Sequence, residues 1–304
     1  MSLAARAYAG LCVASLCWAA AFIAGKVVLS EVTPLSAAGL RHLMAALLLL
    51  PFAWRARGAA DLRAAARPLA VMVVAGGILY QWTFMAALQR TSATNASLLI
   101  ALNPALTVLL APLVGEPPSR RALAGVAMAL LGAAVVITHG DPAVLASLAQ
   151  ARRGDLLALA AALLWATFNL AARSAVTHLP HSVTNALCYG LGSLATLLIA
   201  VPEAPFAQLA QASPAAVAAL LFMVVASSVL AGQLFLFGVH TVGVGRTVVF
   251  VYLVPVLTAL LSAAWLGEPL LASQLAGGAL VLAGVWVTTR RPTSVRTASA
   301  AHRA

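Results

Sequence analysis

Stretches without a single charged side chain recur along this sequence, at residues 7–25, 68–89, 91–115, 122–138, 156–172, 174–202, 204–245, 247–267 and 269–289. A helix needs about 20 apolar residues to cross a hydrocarbon core of about 30 Å. The longest run, 204–245, is interrupted by Pro205, Gln208, Gln211, Ser213 and Pro214, which read as a loop. Residues 35–54 read as a span although they hold Arg41 and His42. Ten spans are therefore predicted, over 7–29, 35–54, 68–88, 93–114, 121–139, 154–176, 182–201, 214–239, 245–266 and 270–289. Only 8% of the residues are charged, against about 25% in a soluble domain. That composition excludes a soluble enzyme, a disordered protein and a disulfide scaffold, and leaves an all-α integral membrane protein.

The formal net charge is +11. In a soluble chain it would suggest nucleic acid. Here the basic residues fall in loops that fix orientation, and no nucleic-acid partner is expected. Arg6, Arg55, Arg57, Arg63, Arg67, Arg120, Arg121, Arg173, Arg246, Arg290, Arg291, Arg296 and Arg303 fall on one side. Only Lys26, Arg41, Arg90, Arg152 and Arg153 fall on the other. The richer side is expected to be cytoplasmic, with both termini inside a multi-pass protein of the cell inner membrane. The first apolar run is too long for a signal-peptide core and lacks an obvious cleavage site, so it reads as an uncleaved span. Cys12, Cys17 and Cys188 all lie in apolar runs and read as small packing residues, with no disulfide or metal role.

Features of the first half return in the second in the same order. Leu16, Trp18, Ala19 and Lys26 fall on Leu163, Trp165, Ala166 and Arg173 at a shift of 147. The fourth and ninth spans share Pro104 and Pro255, and end in Gly115-Glu116-Pro117 and Gly267-Glu268-Pro269. The fifth and tenth share Gly125 and Gly132 with Gly277 and Gly284. Residues 7–139 thus form one five-helix repeat, 140–153 a linker, 154–290 the second repeat and 291–304 a cytoplasmic tail. Five spans per repeat is odd, so the second enters from the opposite side. The result is an inverted-topology repeat, an architecture common in secondary transporters.

Several strings carry a resemblance. Arg41-His42-Leu43-Met44-Ala45-Ala46 running to Pro51 resembles the second-helix signature of EamA-type transporters in the drug/metabolite transporter superfamily. Gly243-Val244-Gly245-Arg246-Thr247 running to Pro255 and Gly267-Glu268-Pro269 does the same. So does Thr91-Ser92-Ala93-Thr94-Asn95 leading to Asn103-Pro104 and Gly115-Glu116-Pro117. The likeness spans residues 7 to 290. It implies two five-helix repeats and export of amino acids or other small metabolites. One departure is Cys188, which stands where the repeat would match Arg41.

Candidate transport residues follow from position. Trp18, Phe22, Gly25 and Lys26 share one face of the first helix, and Trp165, Asn169, Ala172 and Arg173 share the matching face of the sixth. Trp18 and Trp165 lie near mid-span, where an indole N–H needs a partner. They read either as cavity walls or as core residues bonded to a neighbouring helix carbonyl. Lys26 and Arg173 would lie one at each mouth, as snorkelling side chains or as gates for carboxylate-bearing solutes. Arg41 lies about 6 Å from the midplane at about 1.5 Å per residue. It must find carbonyls, water or an anion, either as an anchor of broken helices or as a substrate contact. Pro104 and Pro255 free carbonyls near Ile100 and Val251, and Asn103 and Tyr252 beside them are candidates to meet solute. Gln81 and Gln233 match at a shift of 152, and Tyr80 adds to the polar inventory with Asn185 and Tyr189. Gly125, Gly132, Gly277 and Gly284 give the fifth and tenth helices small faces for close packing.

The acids Glu31, Asp61, Glu116, Asp141, Asp155, Glu203 and Glu268 all fall at helix ends or in loops, so no carboxylate is expected deep in a span. His42 is the only other proton-carrier candidate. Beside Arg41 and buried, it should stay neutral, so the chain reads as a facilitator. No phosphate-binding loop or metallohydrolase motif occurs. No cofactor, catalytic residue or metal is expected. The expected partners are a small-molecule substrate and membrane lipid, with a monomer or homodimer as the assembly. The rival functions are an intramembrane enzyme acting on lipid-linked substrates and a non-transporting sensor.

Overall fold

Serine side chains start four of the long helices. Ser2, Ser92, Ser119 and Ser213 each accept the backbone N–H three residues on, which satisfies one of the donors that a helix start leaves free. Ten helices long and apolar enough to cross a membrane run through the computed structural model, which describes residues 2–141, 153–175, 177–243, 246–247 and 249–289. They are α1 (Leu3–Val28), α2 (Pro34–Ala56), α3 (Leu62–Arg90), α4 (Ala93–Val114), α5 (Arg120–Thr138), α6 (Arg153–Ala175), α7 (His181–Ile199), α8 (Pro214–Val242), α9 (Val249–Leu266) and α10 (Ala272–Thr289). Most of the expected linker (142–152), and the tail 291–304, lie outside the described residues. Among the described residues there is no strand.

Several boundaries differ from expectation by a few residues, and the largest shift is at the start of α3. Helix α3 begins at Leu62 rather than 68, because Asp61 accepts the N–H of Ala64 at 3.0 Å and the turn carrying Arg63 and Arg67 stays helical. A charge ends an apolar run but does not end a helix. Residues expected as loop contain a short helix, Pro205–Gln211, with proline in its first turn.

The packing follows a two-fold relation between the halves. Helix α1 lies on α8 and α9 of the other half, and its counterpart α6 lies on α3 and α4. Helices α2 and α7 pair with each other, as do α5 and α10. The rings of His42 and Tyr189, equivalent in the repeat, meet with centroids 4.4 Å apart and planes tilted by 33°. At the α5–α10 crossing a Cβ on Gly132 would lie 2.6 Å from the Gly277 carbonyl oxygen, and one on Gly125 would lie 2.7 Å from that of Gly284. Each glycine thus faces the repeat mate of the other glycine on its own helix, as an inverted repeat requires.

That contact gives a stability test. A Cβ on Gly284 would meet the Ala129 backbone nitrogen at 2.4 Å, and backbone cannot step aside. Gly284→Ala should cost about 1–3 kcal/mol, read as a lower unfolding midpoint in detergent. Gly190→Ala is the control, since its Cβ would meet only Ala46, at 3.8 Å. Equal midpoints for the two variants would refute close packing at this crossing.

Irregular backbone lies inside four spans. Helix α4 breaks between Ile100 and Asn103, just before Pro104. Helix α9 opens as a 3-10 turn, Val249–Tyr252, before Pro255. Helices α3 and α8 widen into π-helix at Val73–Tyr80 and Met223–Leu230. Such wide turns are frequent at functional sites.

Candidate functional site

Lys26 near the end of α1 donates from Nζ to the carbonyl of Thr91 at 2.6 Å and lies 3.9 Å from a carboxylate oxygen of Glu268. The glutamate gets there through the Gly-Glu-Pro turn. Gly267, at φ +64°, takes the left-handed conformation that ends α9. The Glu268 carboxylate then accepts the Ala93 N–H at 3.0 and 3.1 Å, together with the Ser262 hydroxyl. Ala93 opens α4, so the acid sits at a helix N-terminus, where negative charge is favoured. Beside it, Asp155 of α6 accepts the Thr91 hydroxyl and the Asn95 amide, the latter at 3.2 Å. Gln274 of α10 donates to the Asn95 side-chain oxygen at 2.7 Å. The network ties α1 and α4 of one half to α6, α9 and α10 of the other.

Asp155 lies in the first turn of α6, at a helix end as expected, but it is 0% exposed, which corrects the expectation that no carboxylate is buried. The first turn of α6 is tucked under the chain between α3 and α4. Gly154 permits this, because a Cβ there would lie 2.6 Å from the Arg90 carbonyl carbon.

The opposite end holds the matching pair. An Arg173 guanidinium nitrogen lies 2.7 Å from Glu116, placed by Gly115 at φ +81°. Arg173 matches Lys26 in the repeat and Glu116 matches Glu268, so each cation meets the Gly-Glu-Pro acid of the other half. Burial differs. The Arg173 and Glu116 side chains are 54% and 62% exposed, those of Lys26 and Glu268 only 24% and 19%. Arg246, which matches Asn95 in the register that aligns Pro104 with Pro255, is exposed. Sequence reasoning placed the cations but missed both glutamates. The repeat shift, applied to charges as well as to prolines, would have paired them.

Between the ends, Arg41 is 9% exposed. Its guanidinium donates to the Ser228 hydroxyl at 3.1 and 3.3 Å and to that of Ser227 at 3.4 Å. Both serines belong to the π-helical part of α8. Neither ion pair among the described residues includes Arg41. The Trp18 indole donates to the Ser227 carbonyl at 3.1 Å, so it fills a backbone acceptor of the same wide turn. Phe84 lies 6.0 Å from the guanidinium and heads a row of rings. Phe84 to Tyr80 is 5.9 Å, Tyr80 to Trp165 is 4.7 Å and Trp165 to Phe168 is 4.7 Å.

Asn103 donates to the Ile100 carbonyl at 3.1 Å, one of the groups that Pro104 frees, and accepts from Asn169 at 3.4 Å. In α9 the Phe250 carbonyl is met by Ser15 at 2.7 Å. Tyr252 does not join this region through its hydroxyl, which lies 2.7 Å from that of Thr289 on α10. Gln81 and Gln233, matched in sequence, occupy unlike places. Gln81 is buried with its side-chain oxygen unpartnered, and Gln233 is exposed. Pro255 is buried and Pro104 half-buried. The structure therefore gathers Arg41, Trp18, Tyr80 and Trp165 where the halves meet, and sets Asn103 against Asn169.

Comparison with known proteins gives concordant results. The model of the EamA-like transporter family matches residues 5–138 and 152–290. An "uncharacterized transporter" of Archaeoglobus fulgidus is 30% identical over 283 residues, 92% of this chain and 96% of that one. A "probable terminal-alkyne amino-acid exporter" of Streptantibioticus cattleyicolor is 30% identical over 66% of this chain and 65% of its own length. A "probable amino-acid metabolite efflux pump" of Salmonella typhimurium is 27% identical over 89% of this chain and 90% of its own. A solved crystal structure shares the fold, with a TM-score of 0.62 at 22% identity over 94% of this chain and 97% of that one.

Proposed function

The chain belongs to the EamA-like transporter family, and from that premise we propose that this multi-pass membrane transporter exports small metabolites, amino acids foremost, by alternating access between its two repeats. The observation that carries the reading is the exchanged pair of charge contacts with unequal burial. A carrier with two related halves needs equivalent closures at its two ends, only one of which is tight at a time. Here the Lys26 end is tied by a buried network and the Arg173 end by one exposed pair. Lys26 and Arg173 act as gates, each with the glutamate of the other repeat. Trp18, Tyr80, Trp165, Asn103 and Asn169 line the path, and Pro104 and Pro255 mark the breaks about which α4 and α9 bend. Amino acids are favoured because two relatives are named for amino-acid export.

The loop charges support a cytoplasmic Arg173 end in an inner membrane, with Lys26 outward. Uptake of radiolabelled amino acids and amines into proteoliposomes, trans-stimulated by internal solute, tests transport. Folded protein that moves no member of the panel would refute the proposal. Orientation has its own test. With Cys12, Cys17 and Cys188 replaced, Asp61→Cys should react with an impermeant maleimide only from the cytoplasmic side and Gln211→Cys only from the outside. Both residues are exposed, Asp61 just before α3 and Gln211 at the end of the short helix that precedes α8. Labelling from the same side would overturn the odd-span arrangement.

A further inference from the structure

Arg41 holds a charge with no acid to answer it. Both ion pairs among the described residues lie at the ends of the bundle, and the hydrogen bonds of the Arg41 guanidinium go only to neutral hydroxyls, with the Phe84 ring 6.0 Å away. The contacts at 3.1–3.4 Å are long for a guanidinium, whose bonds to an anion run at about 2.7–2.9 Å. A carboxylate would therefore replace the serines with shorter, charge-assisted bonds, and the Ser227 hydroxyl could turn to donate to it as well, as could that of Ser228 by exchanging its 3.1 Å bond to the Met223 carbonyl. The planar fork of the guanidinium matches the two oxygens of a carboxylate.

We infer that Arg41 with Ser227 and Ser228 forms the carboxylate subsite of the transport path, taking a monocarboxylate whose apolar side chain lies along Phe84, Tyr80 and Trp165. This rests on the transport reading above and adds the class of solute and its orientation. The ring row starts at Phe84, 6.0 Å from the guanidinium, and continues with centroid steps of 5.9 and 4.7 Å, so an amphipathic solute with its charged end fixed at Arg41 has aromatic surface beside it for its apolar end. The second repeat offers no equivalent cation. Cys188 stands at the position matching Arg41, and its thiol already donates to the Met72 carbonyl at 3.4 Å. A single cation of this kind suits one carboxylate and leaves a second carboxylate unpaired, which disfavours dicarboxylates.

The test uses the full-length protein in detergent and four matched probes: leucine, 4-methylpentanoate, leucinamide and 3-methylbutylamine. Leucine and 4-methylpentanoate should raise the unfolding midpoint, as ligands of the folded form do. Leucinamide and 3-methylbutylamine, which lack the carboxylate, should not. Arg41→Gln should weaken the response to the acids at least tenfold in midpoint concentration, with Arg41→Lys between. The wild-type comparison stands even if Arg41→Gln fails to fold. Equal responses to leucine and leucinamide overturn the inference, as does an undiminished response in folded Arg41→Gln. Amino-acid flux in proteoliposomes with no response to either acid also overturns it, and leaves the transport reading intact. Loss of all flux condemns the transport reading instead.

Discussion

Glu268→Gln is expected to lower the unfolding midpoint by several degrees and to cut transport at least tenfold, whereas Glu116→Gln should cut transport with almost no change in midpoint. The two acids are repeat mates in the same Gly-Glu-Pro turn, so composition alone predicts no difference. Burial does. Glu268 is 19% exposed and accepts the Ala93 N–H and the Ser262 hydroxyl beside Lys26. Hydrogen bonds to a charged group contribute about 1.5–3 kcal/mol. The Arg173–Glu116 pair is more than half exposed, and such surface pairs contribute about 0–1 kcal/mol. Transport should respond at both ends, because a carrier that cannot hold either closure slips. Charge reversal separates the cases further. Arg173→Glu with Glu116→Arg should recover most of the flux. Lys26→Glu with Glu268→Lys should not, since it sets a cation on the N-terminus of α4. Equal midpoint losses for Glu268→Gln and Glu116→Gln would show that the two ends are not differently closed.

The spans, their number and the repeat were legible because lipid forbids charge and because the shared landmarks are rare residues: tryptophan, proline and a Gly-Glu-Pro turn. The same landmarks located Lys26 and Arg173. Their partners were hidden because Glu116 and Glu268 lie outside the apolar runs, and position along the chain does not tell that a turn folds its acid back onto a neighbouring helix. The burial of Asp155 was hidden for the same reason, as the first turn of α6, where it was expected, is covered by chain from between α3 and α4. The π-helical turns at Val73–Tyr80 and Met223–Leu230 carry no residue signature, so Ser227 and Ser228 were not foreseen as the neighbours of Arg41. Sequence symmetry also overreached. Gln81 and Gln233 match in register but face unlike surroundings, and Tyr252 spends its hydroxyl on Thr289.

Asp155 carries the other large effect. Asp155→Leu should destabilise the protein by about 2–4 kcal/mol, because the Thr91 hydroxyl and the Asn95 amide would lose their acceptor inside the bundle. Asp155→Asn is the sharper variant. Its Oδ1 can still accept from Thr91 and from Asn95, but the contact that Asn95 makes to Oδ2 at 3.4 Å becomes amide against amide. Asn95 cannot turn over without giving up the bond it accepts from Gln274. The mismatch therefore spreads to α10, and the Lys26 end should close less firmly, with a lower unfolding midpoint and slower flux. The buried acid also removes the premise on which a facilitator was expected, so the same variant addresses coupling. The contacts to Thr91, Asn95 and, through Asn95, Gln274 favour a fixed structural acid. On that account solute flux into proteoliposomes at equal solute on both sides stays at zero net accumulation when a pH gradient is imposed. Accumulation driven by the gradient, and lost in Asp155→Asn while downhill flux persists, would make Asp155 the proton carrier instead. Accumulation lost in His42→Ala but kept in Asp155→Asn would move that role to the histidine that meets Tyr189, and the facilitator reading would fall in either case.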